Sequence, residues 1–156
     1  MKFFGKHAVY PLLLCGLALA ALSGCSASPT RIEAAIVAAP DLNPDTSGRA
    51  SPLVVRLYQL KSPVAFNNAS FFALFDSDAD ALGQDLQGKE EIELKPGEKL
   101  EIERELQPET RFVGIMAGYR DIDNASWRAV AEVPEGETTD LKIDFGRLTV
   151  KVVAGE

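Results

Sequence analysis

The sequence predicts an all-β protein, a two-sheet β-sandwich of about eight strands with one short helix. Apolar and polar residues alternate along most of the chain after residue 30, which is the pattern of a half-buried strand. Clusters of Gly, Pro, Asn and Asp interrupt this alternation about every 8–12 residues, the spacing of strands in a sandwich. A helical spacing of apolar residues stands out in only one stretch of this region.

The first elements are two strands joined by a long loop. Strands are predicted at Thr30–Ala38 and Leu53–Leu60, where apolar residues occupy alternate positions. Ala39–Pro52 is rich in Pro, Asn, Asp and Gly and is predicted to be a loop. Its length exceeds the usual connection of about 4–6 residues, which indicates a functional or disordered segment. A short helix is then predicted at Ala69–Phe75, with its aromatic cluster interpreted as core.

The remaining strands follow turn signals. Lys95–Glu98 and Pro134–Glu137 each contain a Pro and a Gly two or fewer residues apart, as tight turns require. Between and around these turns, strands are predicted at Glu91–Leu94, Leu100–Leu106, Arg111–Tyr119, Trp127–Ala131, Leu141–Phe145 and Leu148–Val152.

The N-terminus predicts export and lipidation. Lys2 and Lys6 precede an apolar run, Ala8–Leu22, that is too short for the ~20 residues of a spanning helix. Such a pattern is typical of a signal peptide. The run ends in Leu-Ser-Gly-Cys25, which resembles the bacterial lipobox, where the Cys is acylated and becomes the first mature residue. The alternative is an ordinary secretory peptide with an accidental Cys.

These signals divide the chain into a signal peptide at residues 1–24, an acylated tether at 25–29 and a sandwich domain at 30–156. Ser26 stands where an inner-membrane retention signal often has Asp, which favours attachment to the periplasmic face of the outer membrane. The acyl chains on Cys25 would provide that attachment, since each buried CH₂ contributes about 0.8 kcal/mol.

The composition of the mature chain limits its chemistry. It keeps 14 basic and 23 acidic residues, a formal charge of −9, which disfavours binding to nucleic acid. Cys25 is its only cysteine, so no internal disulfide is possible. The only histidine, His7, leaves with the signal peptide, and a serine nucleophile would therefore lack a histidine base. The sequence predicts no catalytic residue, no cofactor other than the lipid on Cys25, and no enzymatic activity.

One acidic run has part of the pattern of a calcium-binding loop. Asp76, Asp78 and Asp80 stand at the first three ligand positions of an EF-hand loop. Ala81 replaces the required Gly, however, and Gln87 replaces the bidentate Glu. The run is therefore interpreted as a solvated turn that ends the helix, and no metal site is predicted.

The middle of the chain resembles the type VI secretion lipoprotein family, TssJ, also called SciN or VasD. The resemblance is carried by Val54–Lys61 and Phe71–Asp76, with shorter matches in the family's order and spacing. These shorter matches are Phe66, Leu82-Gly83, Asp85-Leu86, Pro96–Glu98, Gly118–Asp121 and Trp127-Arg128.

The resemblance implies a transthyretin-like sandwich with a helical insertion after the second strand. It implies a non-enzymatic outer-membrane lipoprotein whose partner is the periplasmic domain of the inner-membrane protein TssM, within a TssJ–TssL–TssM complex. It also implies that the loop between the first two strands contacts TssM. Arg56, Arg120 and Arg128 are interpreted as features of the fold rather than binding groups.

The loop Ala39–Pro52 is accordingly predicted to be the docking element. Its candidate contact residues are Asp41, Leu42, Asn43, Pro44 and Asp45, with Leu42, the only large apolar residue of the loop, as the anchor buried in the partner. Because the first strand begins next to the tether, the loop after it should face away from the membrane. The alternative is a solvated connection without a binding role.

Two other function classes remain open at this point. One is a periplasmic lipoprotein that binds a small ligand or peptidoglycan, which would need an apolar pocket with convergent polar groups. The other is an envelope hydrolase, which the missing His and thiol disfavour.

Overall fold

Eight strands in two sheets make up most of the computed structural model, which describes residues 28–155. The strands of this part of the chain are β1 Arg31–Ala38, β2 Leu53–Leu60, β3 Leu86–Leu94, β4 Lys99–Glu105, β5 Phe112–Ala117, β6 Arg128–Glu132, β7 Thr138–Phe145 and β8 Val150–Ala154. Between β2 and β3 lie helices α1 Val64–Asn68 and α2 Phe71–Leu82 and a 3₁₀ turn at Gly83–Asp85.

Each sheet contains four strands. The first has the order β4-β1-β7-β8 and the second β3-β2-β5-β6. β1 and β7 run parallel to each other, and every other neighbouring pair of these strands is antiparallel. The predicted two-sheet sandwich with a helical insertion after the second strand is confirmed.

The core between the sheets follows from the alternation in the sequence. Along β1 every second side chain is buried, and the same holds for β7. These inward side chains meet those of β2 and β5 across the interior, since successive residues of a strand point to opposite faces. The largest fully buried members of this core are Leu42, Leu53, Val55, Leu94, Ile115, Ile143 and Phe145.

A second, smaller core lies between the helices and the outer face of the second sheet. Tyr58 and Leu60 of β2 point away from the first core and pack with Phe66 of α1 and Leu74 of α2. A Cβ at Gly114 would lie only 2.9 Å from Leu60 Cδ1 and 3.2 Å from the Phe66 ring. A glycine at this position therefore lets α1 approach the sheet.

Helix α2 is longer than predicted. It begins after Ser70, whose hydroxyl accepts a hydrogen bond of 3.2 Å from the Ala73 N–H, and it continues through the acidic run to Leu82. Ser77 has φ −149° and kinks it. The interpretation of the acidic run as a solvated, helix-ending turn is wrong, and β3 likewise begins at Leu86 rather than Glu91.

Asp78 explains why the acidic run belongs to the fold. Its side chain is only 11% exposed and accepts a hydrogen bond of 2.6 Å from Lys89 Nζ, while Tyr58 Oη lies 3.3 Å away. Burial alone would raise the pKa of Asp78, but the hydrogen bonds from Lys89 and Tyr58 and the charge of Lys89 outweigh it and lower the pKa. The carboxylate thereby attaches α2 to β2 and β3.

The end of the sandwich at which the chain enters β1 is called the near end, and the opposite end is called the far end. At the near end, Thr30 precedes β1 and its carbonyl accepts a hydrogen bond of 2.9 Å from the Leu106 N–H. The far end is where β1 finishes, eight residues and about 26 Å away. The predicted signal peptide and Cys25 lie outside the described residues. Within residues 28–155, none of the helices has the length and apolarity needed to cross a bilayer.

Candidate docking site

Four loop segments meet at the far end of the sandwich. They are the predicted docking loop at 39–52, the turn at 95–98, the β5–β6 connection at 118–127 and the β7–β8 turn at 146–149. The turn at 95–98 is joined to the loop by a hydrogen bond of 3.1 Å from the Gly97 N–H to the Ala39 carbonyl. The loop is thus one part of a larger surface, opposite the end at which the chain enters the domain.

Asn43 joins three of these segments. Its side-chain amide donates a hydrogen bond of 2.7 Å to the Pro52 carbonyl, and its side-chain oxygen accepts one of 2.9 Å from the Arg120 N–H. Its own N–H donates to the Arg147 carbonyl at 3.1 Å. Asn43 is 3% exposed and has φ +47°, a conformation that Asn tolerates better than most residues. This residue holds the loop in place and is not free to contact a partner through its side chain.

Leu42 does not have the role expected of it. Its side chain is fully buried and belongs to the core between the sheets. It attaches the loop to its own domain, so the prediction that it is the anchor buried in a partner is corrected. The sequence indicated that Leu42 makes an apolar contact, but it did not indicate that this contact lies within its own domain.

The tip of the loop is a turn organised by Asp45. Its Oδ1 accepts hydrogen bonds from the N–H groups of Ser47 at 2.8 Å and Arg49 at 3.0 Å, and its Oδ2 accepts one of 2.8 Å from Arg49 Nε. These hydrogen bonds, first that of the Arg49 N–H, lower the pKa of Asp45. The residues exposed around this turn are Thr46, Ser47, Gly48, Arg49 and Ala50.

A cleft of about 450 Å³ separates this turn from the neighbouring segments. Pro44, Asp45 and Thr46 line one side, and the other side consists of Arg120, Asp121, Arg147 and Leu148. Arg120 is exposed, and the Arg147 side chain is 52% exposed with its guanidinium 3.9 Å from Asp41. Two arginines at the entrance suit the recognition of carboxylates on another protein, because a guanidinium presents paired N–H donors.

Among the predicted contact residues, therefore, Asp41, Pro44 and Asp45 reach the surface of the far end, whereas Leu42 and Asn43 lie beneath it. Arg120 and Arg147 belong to the same surface but come from distant parts of the sequence. The only sequence signal near Arg147 is the pair Gly146-Arg147 between the predicted strands Leu141–Phe145 and Leu148–Val152. It indicates a turn but does not indicate which segments lie beside that turn.

Tyr119 fixes the relative position of two far-end segments. Its hydroxyl donates to the Thr149 carbonyl at 2.7 Å and lies 3.1 Å from the Gly146 carbonyl. Burial raises the pKa of this hydroxyl. The β5–β6 connection and the β7–β8 turn are thereby held together under the cleft.

Two of the three arginines interpreted as fold features attach the helices. Arg56 Nη1 donates to the Leu74 and Phe75 carbonyls at 3.2 and 2.9 Å. Arg128 Nη1 donates to the Phe66 and Ala69 carbonyls at 3.2 and 2.8 Å. Both interpretations are confirmed. Arg120 differs. Its backbone N–H donates a hydrogen bond to the side-chain oxygen of Asn43 and so stabilises the fold, while its side chain is exposed.

The helical aromatic cluster is only partly core. Phe71 is half-buried against Trp127, with ring centroids 5.3 Å apart, but Phe72 is 61% exposed and Phe75 is 42% exposed. The interpretation of the whole cluster as core is therefore wrong for Phe72 and Phe75.

Residues 28–155 contain no group of three or more His, Cys, Asp or Glu side chains arranged to hold a metal ion. Every buried side-chain nitrogen or oxygen in this range has a hydrogen-bond partner. The described residues thus leave no orphaned polar atom for a small ligand to satisfy.

The profile of one protein family, described as type VI secretion lipoprotein with the names VasD, EvfM and TssJ, matches residues 30–148. The T6SS lipoprotein TssJ1 from Pseudomonas aeruginosa is 45% identical to this chain, with a TM-score of 0.79 over 82% of this chain and 98% of TssJ1. This chain belongs to the type VI secretion lipoprotein family. The resemblance seen in the sequence is confirmed.

Two solved structures with lower identity share the fold of this type VI secretion lipoprotein. Lip from Serratia marcescens, a membrane-bound component of the type VI secretion system, is 22% identical with a TM-score of 0.75, covering 80% of this chain and 98% of Lip. A chain in a structure of the T6SS protein TssM C-terminal domain from EAEC is 23% identical with a TM-score of 0.63, covering 80% and 98% of the two chains. No curated protein matches this chain.

The family description names a lipoprotein component of a secretion system rather than an enzyme. The matched residues 30–148 include three of the far-end segments completely and the fourth up to Leu148. All residues that line the far-end cleft thus lie within the part of the chain that the family shares.

Proposed function

We propose that this chain is a periplasmic lipoprotein, anchored to the outer membrane through Cys25, that docks the periplasmic domain of TssM and helps to build the type VI secretion envelope complex. The observation that carries the proposal is the placement of a rigid, charged surface at the far end of the sandwich, opposite the tether. Membership of the type VI secretion lipoprotein family supports it, as does the occurrence of the same fold in a structure of a TssM C-terminal domain.

The rigidity of the far end supports docking there. Asn43, Tyr119 and Leu42 hold the segments in one arrangement through hydrogen bonds and burial. A preformed surface loses little conformational entropy when a partner binds, so more of the contact energy appears as affinity. Arginines are frequent among the residues that dominate binding energy at interfaces, which makes Arg49, Arg120 and Arg147 the principal candidates.

A small ligand fits the site less well. The alternative required an apolar pocket with convergent polar groups. The far-end cleft is instead lined mainly by charged or polar side chains on exposed loops. Another cleft, of about 650 Å³, lies on the outer face of the first sheet. It is open, and the charged side chains of Glu33, Glu101, Glu103, Asp140 and Lys142 line it together with apolar residues. Neither cleft is an enclosed apolar pocket with convergent polar groups.

Calorimetry of the mature lipoprotein in detergent with the periplasmic domain of TssM from the same genome tests the docking. Arg147→Glu is expected to weaken binding tenfold or more, a loss of at least about 1.4 kcal/mol. Arg31→Glu is the matched control, since it makes the same charge change at the near end, where Arg31 pairs with Glu105 at 3.0 Å. Equal affinities of both variants and the native protein would remove the far end from the interface.

The anchor is tested separately. Cys25→Ser is expected to abolish labelling with a palmitate analogue and to release the protein from the membrane fraction, because the thiol is the acyl acceptor. Normal labelling and normal fractionation of the variant would contradict acylation at Cys25. Separation of inner and outer membranes on a density gradient then decides which membrane holds the native protein.

A further inference from the structure

The outer face of α2 exposes aromatic side chains next to acidic ones. Phe72 and Phe75 are 61% and 42% exposed, although both are large apolar residues. Asp76 and Asp80 are also exposed on α2, one before and one after the kink at Ser77. This surface, called here the α2 face, consists of Phe72, Phe75, Asp76 and Asp80.

The aromatic part of the α2 face is held rigidly. Phe71 stacks on Phe75 with an interplanar angle of 15°, and its ring meets Phe72 edge-on at 5.5 Å. The Arg56 guanidinium lies 4.9 Å from the centre of the Phe75 ring. Exposed, preordered aromatic groups are typical of protein-binding surfaces, because they contribute a large contact area at little cost in entropy.

The aromatic part of the α2 face lies towards the far end of the sandwich, while the acidic part that follows runs towards the start of β3. Phe71 contacts Trp127, whose carbonyl accepts a hydrogen bond of 2.8 Å from the Ala117 N–H at the end of β5. Ala117 is five residues beyond Phe112 at the near end, about 17 Å along the strand. Only two residues separate Ser28 from Cys25, a reach of at most about 10 Å, so the proposed anchor holds the near end against the membrane. The aromatic part of the α2 face thus borders the docking surface and not the bilayer.

The negative charge of the α2 face indicates which kind of partner it can bind. Asp76 and Asp80 add negative charge beside the aromatic rings, and the mature chain has 23 acidic residues against 14 basic ones. A second copy of this chain would therefore bring like charges together, as would a bilayer of anionic lipids. A protein segment with an apolar side chain followed by Lys or Arg complements both parts of the face.

We propose that the α2 face is a second docking surface for TssM, and that it binds an apolar segment of the TssM periplasmic domain flanked by Lys or Arg. This inference rests on the proposed function, and it adds a separate contact to the one made by the far-end loops. The partner then touches two adjacent sides of the sandwich.

Substitutions on the α2 face test the inference in the mature lipoprotein in detergent. Phe72→Ala is expected to weaken binding of the TssM periplasmic domain at least fivefold in calorimetry. Val153→Ala is the matched control, because Val153 is equally exposed, at 62%, on the edge strand β8 of the other sheet. The double variant Asp76→Lys/Asp80→Lys is expected to weaken binding strongly at low salt and less at high salt, since screening reduces the native attraction. It retains both aromatic rings and so tests the charges separately.

Hydrogen exchange of the complex provides an independent readout. Protection of residues 71–82 on binding supports the inference. Unchanged exchange there, together with native affinity of Phe72→Ala, overturns it. Loss of binding by Arg147→Glu in that case leaves the proposed function standing.

Other outcomes are equally decisive. Failure of the native protein to bind TssM contradicts both the proposed function and this inference. Sedimentation showing a Phe72-dependent dimer, or Phe72-dependent binding to phosphatidylethanolamine–phosphatidylglycerol vesicles, would assign the face to a second copy or to the bilayer and overturn the inference.

Discussion

Replacing Leu42 by alanine separates the two roles that the docking loop combines. Leu42 has no exposed surface and packs in the core between the sheets, so the change removes buried apolar atoms and leaves a cavity. The three lost carbon groups contribute about 2.4 kcal/mol at ~0.8 kcal/mol each. Incomplete relaxation of the cavity raises the cost, and buried Leu→Ala changes range over about 2–5 kcal/mol. We expect a loss of about 3 kcal/mol in the free energy of unfolding.

Urea denaturation followed by Trp127 fluorescence measures this loss. Trp127 is the only tryptophan of the chain, so the signal reports on the far half of the sandwich. Thr46→Ala, four residues along the same loop, is the matched control, because Thr46 is exposed and its change should stay within about 0.5 kcal/mol. The dependence of the free energy on urea should be equal in the three proteins if only the native state is affected.

A loss below about 1 kcal/mol for Leu42→Ala would refute the reasoning. It would mean that the loop leaves the core in solution at little cost, and that Leu42 is available to a partner after all. The expected result would instead show that Leu42 stabilises the fold. If the Leu42→Ala variant also binds TssM more weakly, the cause would then be the displacement of the loop rather than the loss of a direct contact. Replacing Asp41–Arg49 by a short Gly-Ser link would consequently destabilise the domain, since it removes the buried Leu42 and the hydrogen bonds of Asn43 together.

Three further changes probe other parts of the domain. Tyr119→Phe should lower the free energy of unfolding by about 0.5–1.5 kcal/mol, the net value of its hydrogen bond, and an unchanged urea midpoint would exclude that bond. Glu33 lies opposite Glu103 and Asp140 in register, so Glu33→Lys should stabilise the domain by about 0.2–1 kcal/mol in thermal unfolding at low salt, and destabilisation would contradict the repulsion. The pKa of Asp78 is lower in the folded protein than in the unfolded chain, so its stabilisation is present at neutral pH and is lost as the pH falls below about 4. Asp78→Asn should therefore be less stable at pH 7 and lose less stability on acidification, which urea titrations at pH 7 and pH 3 would compare.

Strand β2 shows what the sequence could predict. Its bounds, Leu53–Leu60, agree with the prediction, since a buried strand imposes a period of two that is visible within the segment. The observed helix α2 has 12 residues and ends at Leu82, seven residues beyond the predicted end at Phe75. Its last turns carry Asp76, Asp78 and Asp80, and an acidic run has no apolar period. Asp78 is buried because Lys89 and Tyr58 come from other elements, and such long-range contacts leave no local signal.

The far end was predicted only in outline. Proline and glycine content indicated the loop Ala39–Pro52, and the position of the tether indicated that it faces away from the membrane. The burial of Leu42 depends on the two sheets that close over it. Arg120 and Arg147 line the same cleft because the strand order brings the β5–β6 connection next to the β7–β8 turn. Asn43 offered one local signal, since an Asn in a turn often adopts positive φ.

The dimensions of the molecule constrain the complex that the proposed function requires. With Cys25 as the proposed anchor, a tether of at most about 10 Å and a strand of about 26 Å place the far end no more than roughly 36 Å from the membrane. A partner from the opposite membrane must then cross the remaining periplasm itself, because none of the far-end segments within residues 28–155 extends further. Docking on the far-end surface and on the adjacent α2 face would fix the angle of the partner as well as its position, because contacts on two sides of a rigid domain leave no free rotation between the two proteins.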